Sequence, residues 1–171
     1  IIPGYENLQA QISRMDQSVK DFAATPNQET LTNLRSNFID AYVAWEKVSF
    51  LEFGPAFSQT LRAELNTFPT DNFSIDNAIQ SGQFSLTGFS TQNRRGLPAI
   101  DYLLYGVGNT DTEILEKYTS AANANKRKEY LLAVSQLILT KVDLVYNQWR
   151  PESGNYGKSP ERHNREICQR K

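Results

Sequence analysis

The chain has 171 residues, with 18 Lys and Arg against 19 Asp and Glu, 39% hydrophobic residues and 11% aromatic ones. That balance is enough for a globular core and excludes wholesale disorder; nearly cancelling charge argues against a nucleic-acid partner, which needs a basic face. One cysteine, Cys168, excludes an internal disulfide, and a lone histidine excludes a His-rich metal site.

No apolar run approaches the roughly 18 residues of a membrane span. The opening "IIPGYENL" has neither the basic start nor the long apolar centre of a signal peptide, which leaves secretion open. Tyr5, Leu8, Ile12, Met15, Val19 and Phe22 alternate spacings of three and four, one stripe of a helix that should stop near "ATPNQ". Thr25 is expected to cap the next helix, with Pro26 in its first position and Gln28 as capping-box partner. Leu31, Leu34, Phe38, Ala41, Trp45 and Val48 continue the helical spacing, Tyr42 widens it, and Gly54-Pro55 is the expected end. The two segments read as an antiparallel hairpin.

From about residue 56 to 120 the pattern is less regular. "FSQTLRAELNTF" and "SIDNAIQS" read as short helices, the second with Ile75 and Ile79 on one face, and "FPTDN" reads as a turn. "SGQFSLTGFSTQN" reads as an ordered loop anchored by Phe84, Leu86 and Phe89. Pro98 should open a helix ending near Gly106, and Thr110 should cap a short one through Ile114, Leu115 and Tyr118. A last long helix is expected from about Asn123 to Trp149, with Tyr130, Leu131, Val134, Leu137, Ile138, Val142, Val145 and Trp149 inward and Lys141 at the edge of the stripe. The expected fold is all-α: an up-and-down bundle of three long helices, completed by short helices and an ordered central loop, over residues 1–150. Residues 151–171, polar and basic, read as a disordered tail.

Few constellations carry chemistry. His163 and Glu166 stand three apart with Cys168 nearby, all zinc-ligand types, but the segment has no core pattern to hold them and reads as solvated tail. "GVGNTD" and "YGKSP" lack the spacing of a phosphate loop, and no nucleophile elbow occurs. Glu46, Glu52 and Glu64 could gather with Asp101 into a carboxylate cluster, although the polar flank of a bundle helix explains the first two. Arg94 and Arg95 can pair with an acid or bind an anion at the next helix start. Asp101 lies early in the helix begun by Pro98, where the dipole favours a carboxylate.

"GLPAIDYLLYG" resembles the signature segment of the imelysin-like family, also called the imelysin peptidase family. "IIPGYENLQAQI", "AYVAWEKVSFLEFGP", "FPTDNFSIDNAI" and "RRGLPAIDYLLYG" stand in the family's order, over residues 1–156. The resemblance implies a protein of the Gram-negative periplasm or outer membrane, often lipid-anchored and linked with iron supply. It also implies two helical halves, of which this chain is similar to the first. The tail after "WRPESGNY" does not resemble the second half, as a truncated product would not. The family's motif, Gly-x-His-x-x-Glu, is proposed to bind metal; Gly96, Pro98 and Asp101 occupy its three positions. Proline has no ligand atom, and one aspartate can neither hold zinc nor activate water by itself.

The expectation is therefore a non-enzymatic envelope binding protein in iron or haem handling. No catalytic residue, resident cofactor or nucleic-acid partner is expected, with iron or another divalent metal as the ion to test. Its ligand cleft is expected near Arg94, Arg95, Asp101 and Tyr105. A second copy or a second helical half is the expected protein partner. The alternatives are a metallopeptidase whose metal site avoids Pro98, and a bundle serving only as an assembly surface.

Overall fold

Tyr5, Leu8, Ile12, Met15, Val19 and Phe22 are all buried, and the stripe they form defines α1, Ile2–Ala24. The computed structural model describes residues 1–150. Helix α2, Gln28–Glu46, returns antiparallel, since Asn37 donates to Ser18 at 2.6 Å near the turn while the Tyr5 hydroxyl reaches the Leu51 carbonyl at 3.1 Å. The cap of α2 is Asn27 and not Thr25: its side chain accepts from the Thr30 N–H at 2.9 Å and the Thr30 hydroxyl accepts from the Asn27 N–H at 3.2 Å. That reciprocal pair satisfies two free donors, which Thr25 with Gln28 does not.

Helix α2 also ends earlier than Gly54-Pro55. The chain leaves the helix after Glu46 because tertiary partners claim the carbonyls that follow: Arg62 donates to Ser49 O at 2.9 Å and Tyr5 to Leu51 O. Gly54-Pro55 instead opens α3, Gly54–Ser58, and Thr60, in a left-handed conformation at φ 50°, separates it from α4, Leu61–Leu65. One expected helix is thus two short ones.

Asp71 caps α5, Asn72–Ser81, by accepting from the Ser74 N–H at 2.9 Å, and buries Ile75 and Ile79. A loop and a 3-10 turn, Phe89–Arg94, lead to α6, Leu97–Asp101, which runs on through one π-helical turn, Tyr102–Gly106. Of the expected loop anchors, Phe84 and Leu86 pack on the core, but Phe89 is 87% exposed. Its place is taken by Arg95, whose Nη1 donates to the Leu86 carbonyl, to Gly88 O at 3.1 Å and to Thr91 Oγ1 at 2.7 Å.

Thr110 caps α7, Asp111–Thr119, as expected, and α8 spans Ala124–Trp149. Helix α8 lies antiparallel to α1: Tyr5 stacks on Trp149 at 5.9 Å, Gln9 bonds Asp143 at 3.0 Å and Ser135 bonds Asp16 at 2.7 Å. Leu137 is half-buried rather than inward, and Lys141 sits at the stripe's edge, its ammonium 3.7 Å from Glu64. The result is the all-α bundle, with no strand among the described residues and no helix there long and apolar enough to cross a membrane. The tail with His163, Glu166 and Cys168 lies outside the described residues.

Candidate functional site

Gly96 seats the signature segment on the rest of the bundle. It adopts φ +82°, and a Cβ there would stand 2.6 Å from the Leu65 carbonyl oxygen, so α6 begins directly against the end of α4. Pro98 fits the first turn of α6, where no N–H is needed. The π-helical turn leaves carbonyls without helical partners, and side chains satisfy them. Tyr118 donates to Leu103 O at 2.8 Å; Arg35 donates to Leu104 O through Nη2 at 2.8 Å and Nε at 3.3 Å.

Pro98 and Asp101, three apart, therefore share a face and line one groove of about 420 Å³. Phe68, Pro69, Thr70 and Asn72 form its far wall, and Tyr102, Tyr105 and Gly106 its floor and end. The far wall is held by the Asp71 N–H, which donates to Asn93 O at 2.8 Å just before the signature. Arg35 lies over the Tyr105 ring, 4.5 Å from its centroid, while bonding Asp111 at 2.7 Å. Phe38 meets Tyr105 and Tyr42 behind it, at 6.4 and 5.9 Å.

Asp101 is solvent-exposed, the last residue of α6 rather than part of its first turn, so neither burial nor the helix dipole accounts for it. Its carboxylate has no hydrogen bond or ion pair among the described residues. Partial desolvation by the groove wall pushes its carboxyl above the usual range. Desolvation likewise raises the Tyr105 hydroxyl, opposed by Arg35 and reinforced by Asp101 and Asp111. Tyr42 is raised by burial first and then by Glu46.

The structure brings together Asp101 and Tyr105 of the four expected ligand-binding residues and separates the two arginines from them. Arg95 is 3% exposed and pairs with Glu64 at 2.8 Å. Arg94 lines a different groove of about 500 Å³ beside Asn77 and Gln83, and among the described residues its guanidinium bonds only Ser90 O, at 3.3 Å. The carboxylate cluster does not form: Glu64 is held by Arg95 and Lys141, Glu52 by Arg62 at 3.1 Å, and no metal-sized group of His, Cys, Asp or Glu exists among the described residues. The donor set at the signature thus does not fit the metal of the family motif. Gly96 serves packing, Pro98 is groove wall, and Asp101 offers one carboxylate where zinc takes at least three protein ligands. Phe68, Asn72 and Tyr102 carry no site signal in the sequence; "FPTDN" reads as a turn, and only its place beside the signature in space makes it a wall.

The imelysin family model matches residues 1–169, past the point where the motifs by themselves cease to resemble it. No curated protein matches. Among solved structures, the chain is similar to a protein of Parabacteroides distasonis provisionally named iron-regulated protein A precursor, with a TM-score of 0.74 at 23% identity. The alignment covers 87% of this chain and 41% of that one, so the chain spans about half that protein's length.

Proposed function

The chain belongs to the imelysin family, and on that premise we propose that it is a cell-envelope binding protein of iron handling that holds a small ligand at Asp101 and hydrolyses no peptides. The observation that carries the reading is the Asp101 carboxylate, which lines the groove together with Phe68 and has no hydrogen-bond or ion-pair partner among the described residues. The buried carboxylates of this chain, Glu64 and Asp16, are paired. A carboxylate kept partly desolvated without a partner costs stability, and a group of that kind in a cleft marks a functional site.

Peptide hydrolysis needs an activated water or nucleophile and a stabilised oxyanion. Pro98 stands where the motif's histidine would act, and Asp101 supplies a single oxygen-donor group, which supports binding over catalysis. The iron connection and the secretion implied by "precursor" are properties in the Parabacteroides protein's name, carried to this chain as part of the proposal. The envelope location, with a lipid anchor, and a second helical half or second copy as partner, belong to the same proposal.

Metal analysis of the purified protein, a general protease assay and thermal-shift screening against iron chelates test it together. Ligand-dependent stabilisation without cleavage is expected. Stoichiometric zinc with metal-dependent cleavage, lost in Asp101→Ala, overturns it. If neither stabilisation nor cleavage occurs, a bundle serving only in assembly replaces it, and a solution-mass measurement follows.

A further inference from the structure

Among the described residues, Asp101 is the one charged residue that lines the signature groove, and the remaining wall is largely aromatic or proline. Phe68 is 65% exposed and Tyr105 39% exposed, so both rings present surface to whatever enters. Arg35, on the Tyr105 ring, is already committed to Asp111 and to the Leu104 carbonyl. That guanidinium does not line the groove, but its place on the Tyr105 ring shows that this ring accepts a cation against its face.

We propose that the groove is an organic-cation site, taking an alkylammonium or guanidinium group with Asp101 as counter-ion and Phe68 and Tyr105 as aromatic walls. The inference rests on the reading of this groove as the ligand site and is independent of the link with iron. Three competing ligand classes fit less well. An anion meets the Asp101 charge with no cation among the described residues lining the groove to offset it. A neutral apolar molecule covers the carboxylate and strips its water without supplying a partner. A hard divalent cation needs several oxygen donors and finds one carboxylate. An organic cation neutralises one carboxylate and gains from each ring face it touches, and as a guanidinium or quaternary ammonium it is also weakly hydrated.

The test is titration of the full chain with tetramethylammonium, n-butylammonium, n-butanol, acetate and manganese(II), followed residue by residue in amide NMR spectra. Saturable shifts at Tyr105 and Gly106 are expected with both ammonium ions and not with butanol or acetate. Asp101→Asn is expected to weaken binding about tenfold, and Phe68→Ala severalfold, an order of magnitude for one exposed ion pair or ring contact. Both side chains are exposed, so both variants keep the fold, which the same spectra verify. An equal response to butanol, or full affinity in Asp101→Asn, overturns the organic-cation assignment and leaves the groove as a ligand site. Manganese binding at Asp101 tighter than that of either ammonium overturns it in favour of a metal. No response at the groove to any probe overturns both this inference and the ligand-site reading.

Discussion

Glu64 and Arg95 meet at 2.8 Å with side chains 9% and 3% exposed, and through this contact α4 holds the loop that precedes the signature. Glu64 accepts from Arg95 Nη2, while Arg95 Nη1 gathers the carbonyls of Leu86 and Gly88 and the Thr91 hydroxyl. Removing the carboxylate leaves a guanidinium buried without counter-charge. Glu64→Ala is expected to cost about 3–5 kcal/mol in chemical denaturation. Amides from Leu86 to Thr91 should exchange first. A loss within the range of an ordinary surface substitution would show that the pair does not organise this loop.

Gly96→Ala tests the approach of α6 to α4. The substitution places a Cβ 2.6 Å from the Leu65 oxygen, which is backbone and cannot swing aside, at a φ of +82°. Strain and overpacking together predict a loss of about 3 kcal/mol or more. The midpoint of urea unfolding measures it, and a near-neutral Gly96→Ala would refute the contact.

Asp101→Asn is expected to stabilise the protein slightly at neutral pH. The folded-state pKa of this acid is raised by desolvation, so ionisation costs more in the folded than in the unfolded chain. The penalty is absent below the unfolded value of about 3.9 and complete above the folded one. Because the group is exposed, the gain should be about half a kcal/mol at most. Denaturation of both proteins at acid and neutral pH should show the difference disappearing on acidification; a destabilised Asp101→Asn contradicts the unpartnered carboxylate.

Asp71 has the opposite sign. Bonds from the Ser74 backbone and hydroxyl lower its pKa, so its stabilisation is present above the unfolded value and fades as pH falls through the folded one. Asp71→Ala should cost about 1 kcal/mol at pH 7, the usual worth of a cap. The cost should shrink on acidification. A cost independent of pH across that window would assign it to something other than the charged cap.

Arg35→Lys is not conservative here. Arg35 spans Leu104 O, Asp111 and the Tyr105 ring at once, a reach that depends on the guanidinium fork. An ammonium keeps one of these bonds, so a loss of about 1–2 kcal/mol is expected, with faster amide exchange around Leu104 and Asp111. Unchanged exchange at the π-helical turn would sink this account.

The helices themselves were legible in the chain because each announces itself locally. A stripe such as Tyr5 to Phe22 can satisfy its backbone only as a helix and bury its side chains only against another stripe, so the bundle followed from periodicity. The Pro98 start, the Gly106 end and the Thr110 cap are equally local. Features that depend on partners distant in sequence were not legible. The early end of α2 arises because Tyr5 and Arg62 compete for carbonyls across the fold. Adjacent arginines look alike in sequence, yet Arg95 is drawn inside by Glu64, thirty-one residues away, while Arg94 stays at a polar groove.

The same division governs the signature. Sequence by itself determined that Gly96, Pro98 and Asp101 stand in the signature segment, and the resemblance implies that they take the places of glycine, histidine and glutamate, with a nitrogen ligand missing. Only the tertiary structure decided where Asp101 sits. An acid in an apolar run looks buried until the packing of α4, α6 and the Phe68 segment is known. That packing turns Ile100 and Leu103 inward and leaves Asp101 at the groove. Side-chain burial is set by which faces meet, and the faces meet through contacts that no local window of the chain contains.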